Sequence, residues 1–140
     1  MQDETRLAVL GAGHVGPVIA RLAIGAGYPV AIATSGDPDD IALITELVIP
    51  GAEPRWASDA VADADIVVLA RPGRHASIAP DYLTRGMHVV STTGVLDDVR
   101  ELLALDDVAR GNGVSLVVGT AMAPGLSGLL ARYVVRRMSR

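Results

Sequence analysis

The sequence predicts an α/β fold in which a doubly wound parallel sheet of about six strands, in the order 3-2-1-4-5-6, carries helices on both faces. Three observations predict it. Apolar runs of strand length alternate with stretches whose apolar residues recur at helical spacing. Ile66-Val67-Val68-Leu69-Ala70 is a near-continuous apolar run, the pattern of a strand buried on both faces at the centre of a parallel sheet. Leu7-Ala8-Val9-Leu10 breaks into Gly11-Ala12-Gly13-His14-Val15-Gly16 and then into a helix-forming segment. Right-handed crossovers between parallel strands then give the strand order.

Taken in order, the first strand is expected at 6–10 and its helix at 15–26, stopped by Gly25-Ala26-Gly27. Tyr28-Pro29 leads into a strand at 30–33. Asp37 as N-cap and Pro38 at the first helical position start a second helix, which runs to Val48 and is ended by Ile49-Pro50-Gly51. A short strand at 53–56 precedes a helix at 58–62 that opens on Ser58 as its cap. After the strand at 66–70 come a helical segment at 75–83, a strand at 88–91, a helix at 97–110, a strand at 115–118 and a closing helix after Pro124. No internal repeat, low-complexity tract or linker divides the 140 residues, which are the size of a single domain.

Composition excludes several classes. A net charge of −4 with no phenylalanine gives no basic, aromatic-interleaved stripe for nucleic acid. The apolar runs are broken by Gly, Pro or charge well short of the roughly 20 residues that a spanning helix needs, so no membrane partner is expected. Zero cysteines remove disulfides, thiolate metal sites and thiol catalysis, and with no signal-peptide pattern at Met1-Gln2-Asp3-Glu4 the expected address is cytoplasmic. All 12 basic residues are arginine, so lysine is not available as a catalyst.

The glycine loop carries the chemistry. Gly11 permits the tight turn off the strand, Gly13 lets the backbone approach a phosphate with no Cβ in the way, and Gly16 lets the next helix pack close to the sheet. The helix N-terminus adds free N–H groups and a partial positive charge. This is the fingerprint of a Rossmann-type fold. A dinucleotide pyrophosphate is expected over Gly11, Ala12, Gly13, His14, Val15 and Gly16, and ligands collect outside the carboxyl ends of the strands.

Gly-Ala-Gly-His-Val-Gly, Ala33-Thr34-Ser35-Gly36 and Ala64-Asp65-Ile66-Val67-Val68-Leu69-Ala70 together resemble the NADP-binding domain of the deazaflavin-dependent NADP oxidoreductases, over roughly the first half of the chain. In the second half, Gly94-Val95-Leu96, Ala109-Arg110-Gly111-Asn112-Gly113, Val118-Gly119 and Pro124-Gly125-Leu126-Ser127 resemble the cofactor domain of saccharopine-dehydrogenase-like reductases. In that group the Pro-Gly-Leu-Ser segment leads towards a catalytic domain. The chain stops soon after it, so the resemblance implies a cofactor module more firmly than a complete enzyme.

Cofactor choice turns on the end of the second strand, where an acidic residue would grip the ribose of NAD. Thr34 and Ser35 stand there instead, two hydroxyls able to donate to a 2′-phosphate, so the expected cofactor is NADP, with NAD possible. Asp37 is read as a helix cap, with the ribose-binding role as its alternative. The related NADP pattern continues with an arginine where this chain has Gly36. Arg71 and Arg74 are the candidates to supply that charge, or are plain solvent-exposed arginines.

Ala70, Arg71 and Pro72 are expected over the adenosine or pyrophosphate, and Thr92, Thr93 and Thr120 near the nicotinamide carboxamide, unless these hydroxyls serve as turn or helix caps. Among the histidines, His14 lies beside the phosphates and His88 points away from the ligand edge. His75 is either the one candidate for proton transfer or a surface histidine at a helix start. Asp97-Asp98 and Asp106-Asp107 read as helix-start and solvated-face charges, and no metal site is expected.

Three classes fit: an NADP-dependent oxidoreductase or its cofactor module acting on an unidentified small molecule, a non-catalytic nucleotide-sensing domain, and a truncated or designed Rossmann domain without activity. The closing helix, with Leu126, Leu129, Leu130, Tyr133, Val134 and Val135 in one wide band, suggests a homodimer or contact with a missing substrate domain. Its alternative is packing on the edge of its own sheet.

Overall fold

The computed structural model describes residues 5–33, 42, 49–123 and 125–138. Six strands, β1 (Leu7–Leu10), β2 (Val30–Ala33), β3 (Glu53–Pro54), β4 (Ile66–Leu69), β5 (His88–Ser91) and β6 (Leu116–Val117), form one sheet in the order β3-β2-β1-β4-β5-β6. Every neighbouring pair is parallel. The predicted fold class and strand order are those observed.

The register sets up the site. Leu10 is level with Ala33 on one side and Leu69 on the other, and Leu69 is level with Ser91. Four strands therefore end on one edge, and the loops that follow β1, β4 and β5 leave it side by side. The chain first builds outward from β1 through β2 to β3, then crosses to β4 on the opposite side. The crevice between β1 and β4 is the switch point at which such sheets bind ligands.

Side chains alternate between the two faces with the strand period. Ala8, Leu10, Val67, Leu69 and Val89 pack on one face with α2 (Ala57–Ala62), α3 (Ala79–Thr84), Leu102 of α4 (Leu96–Leu103) and Ala109 of α5 (Asp106–Gly111). Val9, Val30, Ile32 and Val68 pack on the other face with Ala20 of α1 (Gly16–Gly25) and with Ile49.

Three expectations are corrected. Ser58 does not cap α2: the helix begins at Ala57 after Trp56, and the Ser58 hydroxyl bonds Asp59 Oδ1 at 3.1 Å. The helix expected from His75 starts at Ala79. Pro80 has no N–H to give to Ala76, so residues 75–78 form a separate turn, with the Ile78 and Ala79 amides on the His75 carbonyl. The single helix expected at 97–110 is two, α4 and α5. The chain tightens at Ala104-Leu105, where the Leu105 amide reaches back only to Leu102, and this keeps Leu105, Val108 and Ala109 on the core beside Leu102. The helix expected from Asp37 lies outside the described residues.

The closing helix, α6 (Leu126–Met138), buries none of its residues. Packing against its own sheet edge is therefore not the observed arrangement.

Candidate functional site

At the β1–β4 crevice, Leu10, Gly11, Ala12, Gly13, Ala33, Ala57, Ala70, Arg71, Pro72 and Tyr82 line a cleft of about 460 Å³. That size falls in the range of small-molecule and cofactor sites. A cleft of about 530 Å³ beside β6 runs from Leu102 to Val118, but its lining includes an already paired Asp106–Arg110 and no glycine loop.

The three glycines of the loop do different work. Gly11 has φ +124°, and a Cβ there would collide with the carbonyl of Ala70. A Cβ at Gly16 would drive into the Gly11 carbonyl. Both glycines are thus demanded by the protein's own packing, which brings β1, β4 and the start of α1 together. At Gly13 a Cβ would meet nothing within 4 Å, and φ is ordinary. The space over Gly13 is left open by the fold.

Gly13 lies three residues before the N-terminus of α1. Among the described residues, the amides of Gly13, His14 and Val15 donate to no backbone carbonyl, whereas Gly11 N bonds Ala33 O at 2.7 Å and Ala70 N bonds Leu10 O at 2.9 Å. Free N–H groups and the positive end of the helix dipole are available beside Gly13. His14 and Val15 are exposed. Thr34 and Ser35 lie outside the described residues.

Across the cleft, Ala70 closes the wall and exposed Arg71 and Pro72 begin the loop after β4. Arg71 makes no ion pair among the described residues, and its charge acts on Tyr82. Burial pushes that phenol above its usual range, partly opposed by Arg71. Arg74, the other candidate, pairs with Glu101 on α4.

The threonines are already engaged. Thr92 Oγ1 donates to Leu69 O at 2.9 Å and Thr120 Oγ1 to Ser91 O at 2.7 Å. Buried Thr93 accepts from the Val95 amide at 3.3 Å and bonds Asp98. Their hydroxyl protons hold the strand-end loops to one another, and what they keep for a ligand is acceptor capacity.

His75 is neither of the things expected of it. It is 2% exposed, with Nδ1 at 2.8 Å from Ser91 Oγ and Nε2 at 2.8 Å from Arg71 O. A ring spent on two internal partners is not placed for proton transfer. Asp98 is likewise no solvated charge: it is 2% exposed and accepts from the His75 and Ala76 amides at 2.9 and 2.8 Å. Burial alone would raise its pKa, but the Ala76 and His75 amides and the Thr93 hydroxyl outweigh it, holding the carboxyl below its ordinary value. His88 is exposed and accepts from the Ser115 amide at 3.0 Å.

Tyr82, Ala57, Ser91 and Asp98 belong to the site or its support and were not foreseen. Tyr82 carried a signal: in a chain without phenylalanine, it is an aromatic in the first turn of the helix that follows the central strand. Asp98 carried none, since the two amides it accepts from are more than twenty positions away.

Fold and site define a NAD(P)-binding Rossmann domain of the oxidoreductase type. Among solved structures, GenD2 from gentamicin A biosynthesis in complex with NAD is similar at TM-score 0.63 and 22% identity, over 84% of this chain and 34% of that one. A NAD-binding protein from Listeria innocua is similar at 0.64 and 24%, over 81% and 34%. Biliverdin reductase from Synechocystis, in complex with biliverdin and NADP+, is similar at 0.59 and 20%, over 81% and 37%. The chain spans about a third of the length of these structures. No curated protein matches the chain. The family described as NADP oxidoreductase, coenzyme F420-dependent, matches residues 6–94, and the chain belongs to it. That match ends at Gly94, before most of the segments that resemble the saccharopine-dehydrogenase-like reductases.

Proposed function

We propose that this chain, read as one cofactor domain over residues 1–140, binds NADP(H) in the β1–β4 crevice and presents it for hydride transfer to a small-molecule acceptor held by a partner surface. The observation that carries the proposal is the contrast within the glycine loop. Gly11 and Gly16 are explained by internal packing, while Gly13 guards open space at a helix N-terminus. A pyrophosphate fits that cradle: the Gly13, His14 and Val15 amides are its donors, with Ala12 and Gly16 shaping the loop. Bound there, the nicotinamide supplies the hydride. Ala70, Arg71 and Pro72 form the opposing wall, and Thr92, Thr93 and Thr120 border the nicotinamide end as acceptors.

Preference for NADP over NAD is assigned to Thr34 and Ser35, supported by the absence of a carboxylate at either position and by Arg71 on the cleft wall, which makes no ion pair among the described residues. Among the described residues no helix is long and apolar enough to cross a membrane. The absence of cysteine supports placing the protein in the cytoplasm. Calorimetric titration with NADPH and with NADH tests the assignment. Saturable binding with NADPH the tighter ligand is expected; no binding of either overturns it, and tighter NADH moves the ribose contact to Asp37.

The partner is proposed to be a second copy of the chain. Leu126, Leu129, Leu130, Tyr133 and Val134 are exposed on α6. No acidic residue follows Asp107, while Arg132, Arg136, Arg137 and Arg140 cluster at the end of an otherwise acidic chain. An apolar helix with a basic edge complements an acidic body of the same sequence. Light scattering at micromolar concentration should give a dimer that Leu130→Arg dissociates. A monomer, with or without NADPH, overturns the dimer and points to a separate substrate domain.

A further inference from the structure

We infer that His75 is a positioning residue for the cofactor cleft, the pin that ties three strand-end loops into one unit; the inference rests on the NADP-site reading above. The carbonyl of Arg71 can only accept, so Nε2 of His75 carries the proton and donates to it. Nδ1 then accepts from the Ser91 hydroxyl, which rotates to meet it. Ser91 continues the chain: its carbonyl takes the Thr120 hydroxyl, and its Oγ lies 3.4 Å from the Thr93 amide. One imidazole thus connects the loop after β4 to the end of β5, and through Ser91 to the loop after β6.

Asp98 secures the other side of the same residue. Its two carboxylate oxygens take the His75 and Ala76 amides, fixing the backbone that carries the ring to the first turn of α4. No buried side-chain polar atom among the described residues is left without a partner, so the cluster is complete as it stands.

What the pin holds is the segment Arg71-Pro72-Gly73-Arg74. Pro72 has no N–H, Gly73 sits at φ +102°, and among the described residues no amide from Arg71 to Arg74 donates to a backbone carbonyl. The far end is held through Arg74, whose side chain pairs with Glu101 and whose carbonyl takes the Ser77 hydroxyl. The near end, where Arg71 lines the cleft, is held by His75. Releasing that carbonyl frees the residue that faces the dinucleotide.

Three substitutions separate holding from filling. His75→Leu fills the volume without either hydrogen bond, His75→Gln restores an N–H for the Arg71 carbonyl, and His75→Ala does neither. Calorimetry with NADPH and thermal melting are read for each. Relative to the parent, Kd should rise about tenfold in His75→Leu and His75→Ala, and His75→Gln should return to within about threefold. Melting should order differently, with His75→Leu above His75→Ala. In the cofactor-free parent, nitrogen-15 NMR of the ring should show the proton on Nε2. Parent binding with His75→Leu equally tight, or a proton on Nδ1 alone, overturns the pin. A parent that binds no NADPH overturns the site reading and the positioning role with it, whatever the ring spectrum shows.

Discussion

Replacing Gly13 by valine separates ligand chemistry from folding more cleanly than any other change in the glycine loop. The backbone at Gly13 has an ordinary φ, and a new Cβ meets nothing within 4 Å, so the protein itself has room for a β-carbon at this exposed position. Removing a glycine also lowers the entropy of the unfolded chain, so stability should change by less than about 1 kcal/mol, in either direction. The dinucleotide has no such room. Valine methyl groups would occupy the space over the α1 N-terminus where the phosphates approach the Gly13, His14 and Val15 amides. Loss of two charge-assisted hydrogen bonds at about 1.5–3 kcal/mol each amounts to about 3–6 kcal/mol, or roughly a hundred- to ten-thousand-fold in Kd. Calorimetry with NADPH, run beside thermal melting, gives both numbers. A Gly13→Val protein that melts with the parent and binds NADPH within threefold of it would refute the glycine-loop assignment.

The neighbouring Gly11 should behave in the opposite way. Gly11→Ala forces a Cβ onto the Ala70 carbonyl at φ +124°, so it should cost more than about 2 kcal/mol in denaturant unfolding, before any ligand is added. Thr34→Ala with Ser35→Ala should weaken NADPH but leave NADH unchanged, narrowing the ratio of the two constants by roughly tenfold; an unchanged ratio in parallel titrations removes those hydroxyls from the 2′-phosphate. Asp98→Asn leaves the His75 and Ala76 amides poorly satisfied and should cost about 2–4 kcal/mol near neutral pH. Because the folded protein holds the Asp98 carboxyl below its ordinary value of 3.8, its contribution is present above that pH and is lost as pH falls through the lowered value. Melting curves of parent and variant should therefore converge in acid, and a gap that stays constant down to pH 2 contradicts the role given to the carboxylate.

The sheet was legible because its determinants are local and periodic. Val30–Ala33 and His88–Ser91 begin and end where apolar patterning places them, and the crossover rule supplies the order. Element starts were harder to read. Whether a helix begins at His75 or Ala79 depends on the missing N–H of Pro80 acting together with the turn that Asp98 stabilises from another helix. The glycine loop was readable as a motif, but the division of labour within it was not, since the collision of Gly11 with Ala70 exists only once β4 lies beside β1. His75 and Asp98 show the same limit. Their burial comes from a tertiary contact between the loop after β4 and the start of α4, and a polar residue next to a turn reads as exposed until that contact is known.

A crystal structure of the protein with NADP tests the central claim most directly, that the β1–β4 crevice is a dinucleotide site. The account predicts the pyrophosphate over Gly13 within hydrogen-bonding distance of the Gly13, His14 and Val15 amides, with Arg71 and Pro72 along the opposite wall. Electron density in the cleft beside β6 instead, or a glycine loop left empty at saturating NADP, would contradict it.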